Sequence, residues 1–280
     1  MNTQLNTQRI QEKLDSLTKK WWLYPILLLL FFIPTYAAKS YDPRQSVNLI
    51  GEVLSAPLIY AFPVLMPIAK VVPVALIIGV LVYGNRVRGA FNAYVAILYL
   101  ALAFLQTTAI TDTHGLVIIS GNLALVLIVA LTWVWEVFAA QNDFGTRPRP
   151  WWRWWVAPLA AVSLLAPVDA RTMSPDFSPM RLLTNEAGLA CCMMTPVVLA
   201  VLTLFHPTVN RALLRVTSFV GMLLGVVNMI VWFVLEPWGW WMGVLHFPLV
   251  VISVYAFVLA HLRTGSVVRC EPNVAGGSTP

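Results

Sequence analysis

From Trp21 onward the chain alternates long apolar runs with short polar breaks. A bilayer core is about 30 Å thick, and a helix rising about 1.5 Å per residue needs about 20 apolar residues to cross it. Eight runs approach that length: 21–38, 62–84, 90–110, 116–140, 154–167, 187–205, 213–235 and 240–262. The pattern therefore predicts an all-α fold, a polytopic transmembrane helix bundle of about eight spans. Pro57, Pro63, Pro67 and Pro73 crowd the second element, which is expected to be Pro-broken. Ahead of the bundle, Ile10, Leu14 and Leu17 share one helical face, so residues 1–20 read as an amphipathic helix lying on the cytoplasmic surface. Residues 21–263 form the transmembrane domain. The tail 264–280 ends in turn-forming residues without an apolar period and is expected to be disordered.

Composition agrees with the pattern and narrows the class. Charged residues make up 11% and hydrophobic ones 59%, whereas a soluble domain carries about 25% charge. Disordered, coiled-coil and collagen-like chains are excluded by the same arithmetic, and three cysteines cannot form a complete disulfide framework. The net charge of +6 is spread over loop ends, which reads as membrane topology and not as a nucleic-acid patch. Lys and Arg near span ends favour the cytoplasm, and this decides the ambiguous stretch 46–84. One crossing there leaves Lys39, Arg44, Arg171 and Arg181 outside and gathers the other loop cations inside; two crossings reverse the bias. Residues 47–60 then become an interfacial or re-entrant piece on the outer side. The resulting expectation is a multi-pass plasma-membrane protein with both termini cytoplasmic. Lack of an Asn-x-Ser/Thr acceptor agrees with a bacterial or archaeal source. The first span resembles a signal peptide in length, but the bulky Tyr36 disfavours cleavage after Ala38, and it is kept as a span.

Phosphate-loop, nucleophile-elbow and zinc-protease motifs are missing from the sequence, which leaves the polar groups set among apolar runs. Lys70, between Pro67 and Pro73, needs a partner, and Glu52, Glu186 and Glu236 are the carboxylates at matching depth. Together they outline a substrate or proton site, with Lys70 snorkelling as the structural alternative. Glu136 is a further proton-relay candidate. Gln106, Thr107, Thr108, Asn122 and Asn228 read as interhelical glue, as does Gly221-x-x-x-Gly225. His114 with His246, and His206 with His261, form two pairs at opposite leaflets that suit b-type haem ligation, against an ordinary interfacial role. Cys191 and Cys192 are soft donors for a metal, but adjacent helical residues diverge by about 100°. The expected function is a permease or transporter-like protein for a small solute. The alternatives are a membrane redox subunit holding b-type haem or quinone, and a non-catalytic anchor within a larger complex. The expected partners are the lipid bilayer and, in the last case, other membrane subunits.

Overall fold

The computed structural model describes residues 2–145, 149–169 and 174–262. The tail 264–280 with Cys270, and the loop residues Arg147 and Arg171, lie outside them. The fold is all-α apart from short strands. Its helices are α1 (Asn2–Thr18), α2 (Leu23–Phe31), α3 (Ser46–Ser55), α4 (Leu65–Tyr83), α5 (Arg88–Ala101), α6 (Ser120–Ala139), α7 (Val156–Leu165), α8 (Pro179–Thr184), α9 (Cys191–Phe205), α10 (Arg211–Ile230) and α11 (Trp240–His261). π-Helical turns extend α5 through Leu102–Gln106 and α10 through Val231–Leu235. Among the described residues, five helices are long and apolar enough to cross a membrane: Leu65–Arg86, Arg88–Gln106, Ser120–Ala139, Arg211–Leu235 and Pro237–His261. The other three expected spans are shorter, because α2, α7 and α9 hold 9, 10 and 15 residues.

Contacts sort the helix ends into two groups. At the loop end, Tyr24 of α2 meets His261 of α11, Asn85 after α4 meets Asp143 after α6, Asn210 before α10 meets Glu136 of α6, and Arg153 before α7 meets His206 after α9. At the opposite end, Gly121 of α6 lies against the Phe31 carbonyl of α2, Lys70 of α4 meets the last residues of α7, and Gln106 meets Cys191 of α9. Helices α2, α4, α5, α6, α7, α9, α10 and α11 therefore alternate in direction between the two ends.

The opposite end carries a small sheet that the apolar pattern conceals. β2 (Thr108–Thr111) and β3 (Gly115–Ile118) form a hairpin, and β1 (Tyr36–Ala37) pairs with β3. Gly115 adopts a φ of 68°, a left-handed conformation that suits glycine in a tight turn. α3 lays Leu49 and Val53 on Ala109, Val117 and Ile119 in a separate small core. Residues 47–60 thus pack on this hairpin end, and the hairpin shortens the two neighbouring spans relative to 90–110 and 116–140.

One expectation needs correction. α4 runs unbroken through its prolines. Pro67 occupies the first turn, where its missing N–H has no helical partner in any case, and Pro73 frees only the Ala69 carbonyl. The break lies elsewhere, as a bend of 88° between Pro179–Leu189 and Cys191–Phe205. Helix α1 is held on the bundle by polar side chains. Gln11, Asp15 and Thr18 bond to the bundle, whereas Ile10 and Leu17 stay exposed. The reason is what waits beneath: Arg215 is 2% exposed and needs an anion, which Asp15 supplies at 2.7 Å. Gly221 and Gly225 behave as the spacing suggests, for each brings α10 against Leu249 of α11.

Candidate functional site

The bend before α9 brings together several buried polar side chains in the hairpin half of the bundle, Lys70, Asn185 and Thr195 among them. Its geometry follows from helix ends, because α7 stops at Leu165 and α9 starts at Cys191 inside the apolar body. The last carbonyls of one and the first N–H groups of the other therefore need partners. Lys70, 3% exposed, donates to the Leu164 carbonyl and, at 3.4 Å, to that of Leu165. Asn185 Nδ2 donates to the Leu165 and Ala166 carbonyls at 2.7 and 3.0 Å, while its Oδ1 accepts from the Ala187 N–H. The Cys191 N–H donates to Gln106 Oε1 at 2.9 Å. Gly188 sits where a Cβ would fall 2.6 Å from the Ala69 oxygen, the carbonyl that Pro73 frees. Only glycine permits that approach.

Around these caps stand groups with chemistry to spare. Glu186 acts on Lys70 through charge, yet among the described residues no carboxylate lies within 4.0 Å of the ammonium. Tyr60 comes from the turn before α4, and burial pushes its phenol up, with Glu186 and Cys192 adding to the effect. The group therefore stays neutral. Tyr99 Oη donates to Thr195 Oγ1 at 3.0 Å, and Cys191 Sγ lies 3.6 Å from the same hydroxyl. Cys192 Sγ accepts from Asn228 Nδ2 at 3.7 Å. The two thiols thus turn to different neighbours, as helical geometry requires, and no group of three or more His, Cys, Asp or Glu suited to a metal ion occurs among the described residues.

Of the expected site residues, the bend unites Lys70, Glu186, Cys191 and Cys192. Glu52 is exposed on α3, and Glu236 is exposed between α10 and α11, where its carboxylate accepts from Trp238 Nε1. Neither meets Lys70. Tyr60 and Tyr99 went unmarked in the sequence, since a buried phenol in an apolar run looks like any other aromatic anchor.

Glu136 belongs to the loop end, fully buried. Its carboxylate accepts from the Asn142 N–H at 2.6 Å, Asn210 Nδ2 at 2.7 Å and Asn92 Nδ2 at 3.4 Å. Gln11 extends this network to α1 by donating to Asn210 Oδ1 at 2.9 Å and accepting from Trp135 Nε1 at 2.9 Å.

The histidines have separate fates. His246 is buried, with Nδ1 2.6 Å from the Met242 carbonyl. His261 has Nδ1 at the Phe257 carbonyl and Nε2 at Tyr24 Oη, so both nitrogens are engaged. His114 lies in the β2–β3 turn beside Tyr41. His206 is buried with neither nitrogen bonded. In the pair with His261, only His206 has a nitrogen available for a haem iron. Comparison with protein-family models, curated proteins and solved structures finds no match.

Proposed function

We propose that this chain is a multi-pass permease for a small polar solute, with its site at the bend before α9. One observation carries the reading: Glu186, Tyr60, Tyr99, Cys191 and Asn228 gather around a broken helical element whose ends Lys70 and Gln106 cap. Broken helices whose backbone ends face polar groups suit solute binding near mid-membrane. Glu186 and the tyrosine hydroxyls can recognise a solute by hydrogen bonds while Lys70 and Gln106 hold the helix ends apart.

The accompanying topology has eight crossings. α2, α7 and α9 span about 14, 15 and 22 Å at 1.5 Å per residue, and a bilayer accommodates such helices by local thinning and by interfacial anchors. Trp21, Trp22, Trp151, Trp152, Trp154 and Trp155 flank the two shortest. The loop end faces the cytoplasm, for it carries Arg9, Lys13, Lys19, Lys20, Arg86, Arg88, Arg149, Arg153, Arg211 and Arg215. The hairpin end carries Lys39, Arg44 and Arg181. The membrane is a bacterial or archaeal plasma membrane.

Cys191 provides the test because it is 6% exposed and sits at the bend. A chain with Cys192→Ala and Cys270→Ser leaves it as the single thiol of three. In proteoliposomes a permease exposes this thiol to a small impermeant methanethiosulfonate during turnover, and labelling proceeds in the folded protein. A thiol that reacts only after unfolding refutes the permease reading and favours a static anchor.

A further inference from the structure

Where α9 ends, positive charge gathers around a buried imidazole. Arg153 Nη1 donates to the His206 carbonyl and, at 3.4 Å, to that of Thr203, which caps α9. The Arg149 guanidinium carbon lies 4.2 Å from the Phe205 ring centroid, and Nη2 donates to the Leu81 carbonyl at 3.4 Å. Both guanidiniums are thus held within one residue of each other on the end of α9. Each keeps a buried Nε without a partner. The His206 ring, next in sequence to Phe205, is 5% exposed, and neither of its nitrogens has a hydrogen-bond partner. The Leu259 carbonyl is near the ring but outside hydrogen-bonding geometry. Burial, Arg153 and Arg211 all push the imidazole pKa down, so it stays neutral, with one N–H to donate.

An unmet set made of N–H donors and positive charge calls for a group that only accepts and is negative. Phosphate is that group, and arginine's planar fork suits it better than an ammonium does. The level in the membrane selects its source. Trp151, Trp152 and Trp154 are exposed on the turn joining Arg149 to α7, and aromatic belts of this kind mark the headgroup layer. Basic pockets between helices on the cytoplasmic side are where anionic headgroups dock. We propose that this cluster is a binding site for the phosphate of an anionic membrane lipid, with Arg149 Nε, Arg153 Nε and the His206 ring donating to its oxygens and Arg211 adding charge. The site is separate from the bend before α9 and does not depend on the permease reading.

The test uses the full chain in a neutral detergent, titrated with phosphatidylglycerol, with phosphatidylcholine of the same acyl chains, and with inorganic phosphate. Thermal midpoint and native mass spectrometry report binding. Phosphatidylglycerol is expected to raise the midpoint and remain bound, while the other two do neither. Arg149→Gln removes a charged donor and should weaken phosphatidylglycerol binding roughly tenfold. His206→Phe keeps a buried ring without a donor and should weaken it as well. Both variants leave the Arg153 cap of α9 intact. Equal effects of phosphatidylcholine overturn the proposal, as does inorganic phosphate binding as tightly as the lipid, or both variants holding phosphatidylglycerol like the parent.

Discussion

Lys70→Met distinguishes a helix cap from an ion pair, because the two arrangements predict different losses and different rescues. Methionine keeps most of the side-chain packing and removes the ammonium. The Leu164 carbonyl is then left in the apolar interior without its donor, while the Leu165 carbonyl keeps Asn185 at 2.7 Å. A hydrogen bond to a charged group contributes about 1.5–3 kcal/mol. Breaking a buried ion pair costs more, about 3–5 kcal/mol, since it strands a charge. Here the stranded group is a carbonyl, so the smaller loss is expected. At about 2–4 °C per kcal/mol for a chain of this size, the detergent thermal midpoint should fall roughly 3–12 °C. Adding Glu52→Gln or Glu236→Gln should change nothing further, and neither should restore the parent value. Asn185→Ala should combine with Lys70→Met to lose more than the sum, because both side chains hold the Leu165 carbonyl. A midpoint equal to the parent's would show that Lys70 does not cap α7. Rescue of Lys70→Met by either glutamine substitution would show that a carboxylate, and not the helix end, is its partner.

Three further outcomes are expected. In a cysteine-free background, a cysteine at Asp143 should resist an impermeant thiol reagent in intact cells and one at Asp176 should be labelled; the opposite pattern reverses the proposed orientation. Gly221→Ala places a Cβ 2.5 Å from Ser253 Oγ and 2.9 Å from Thr195 Cγ2, so thermal stability should drop by about 1–3 kcal/mol, whereas Gly51→Ala, with nothing within 4 Å, should leave the packing undisturbed. Burial opposes ionisation of Asp15, but hydrogen bonds from Lys19 and Arg215 outweigh it and hold the carboxyl below its ordinary value of 3.8. Docking of α1 should therefore be fully stable above that value and be lost as pH falls through the lower folded one; a nitroxide at Ser16 should gain mobility only in that acid range, and Asp15→Asn should abolish the transition.

What the sequence makes legible is what the bilayer dictates. A 20-residue apolar run has few alternatives to a helix, so α4, α5, α6, α10 and α11 fall close to the expected limits. The hairpin escaped because Ala109, Ile110, Leu116, Val117 and Ile118 in its two strands extend the neighbouring apolar runs. The signal that marks it is Asp112-Thr113-His114-Gly115, a turn sequence between two β-formers. Lys70 stood out as a buried charge, but its partner could not, since backbone carbonyls have no residue code. Glu136 looked free to reach water near a helix end. Its partners Asn92, Asn142 and Asn210 come from three other segments and are ordinary loop or helix residues until the fold assembles them.

The short helices and the buried polar groups are one problem seen twice. A helix that ends inside the bundle leaves up to four carbonyls or N–H groups without helical partners, and each must find a donor or acceptor away from water. α7 and α9 do so with Lys70, Asn185 and Gln106. Polarity at these three positions is therefore explained by the backbone and is weak evidence for a solute. Glu186 and Tyr60 are different, because among the described residues neither side chain caps a helix end. They are the groups on which the permease reading depends. Replacing Lys70 tests the architecture, whereas replacing Glu186 or Tyr60 tests function. Glu186→Gln and Tyr60→Phe should leave the thermal midpoint near the parent's and change the rate at which Cys191 is labelled; a midpoint that falls with no change in that rate would make these residues structural too.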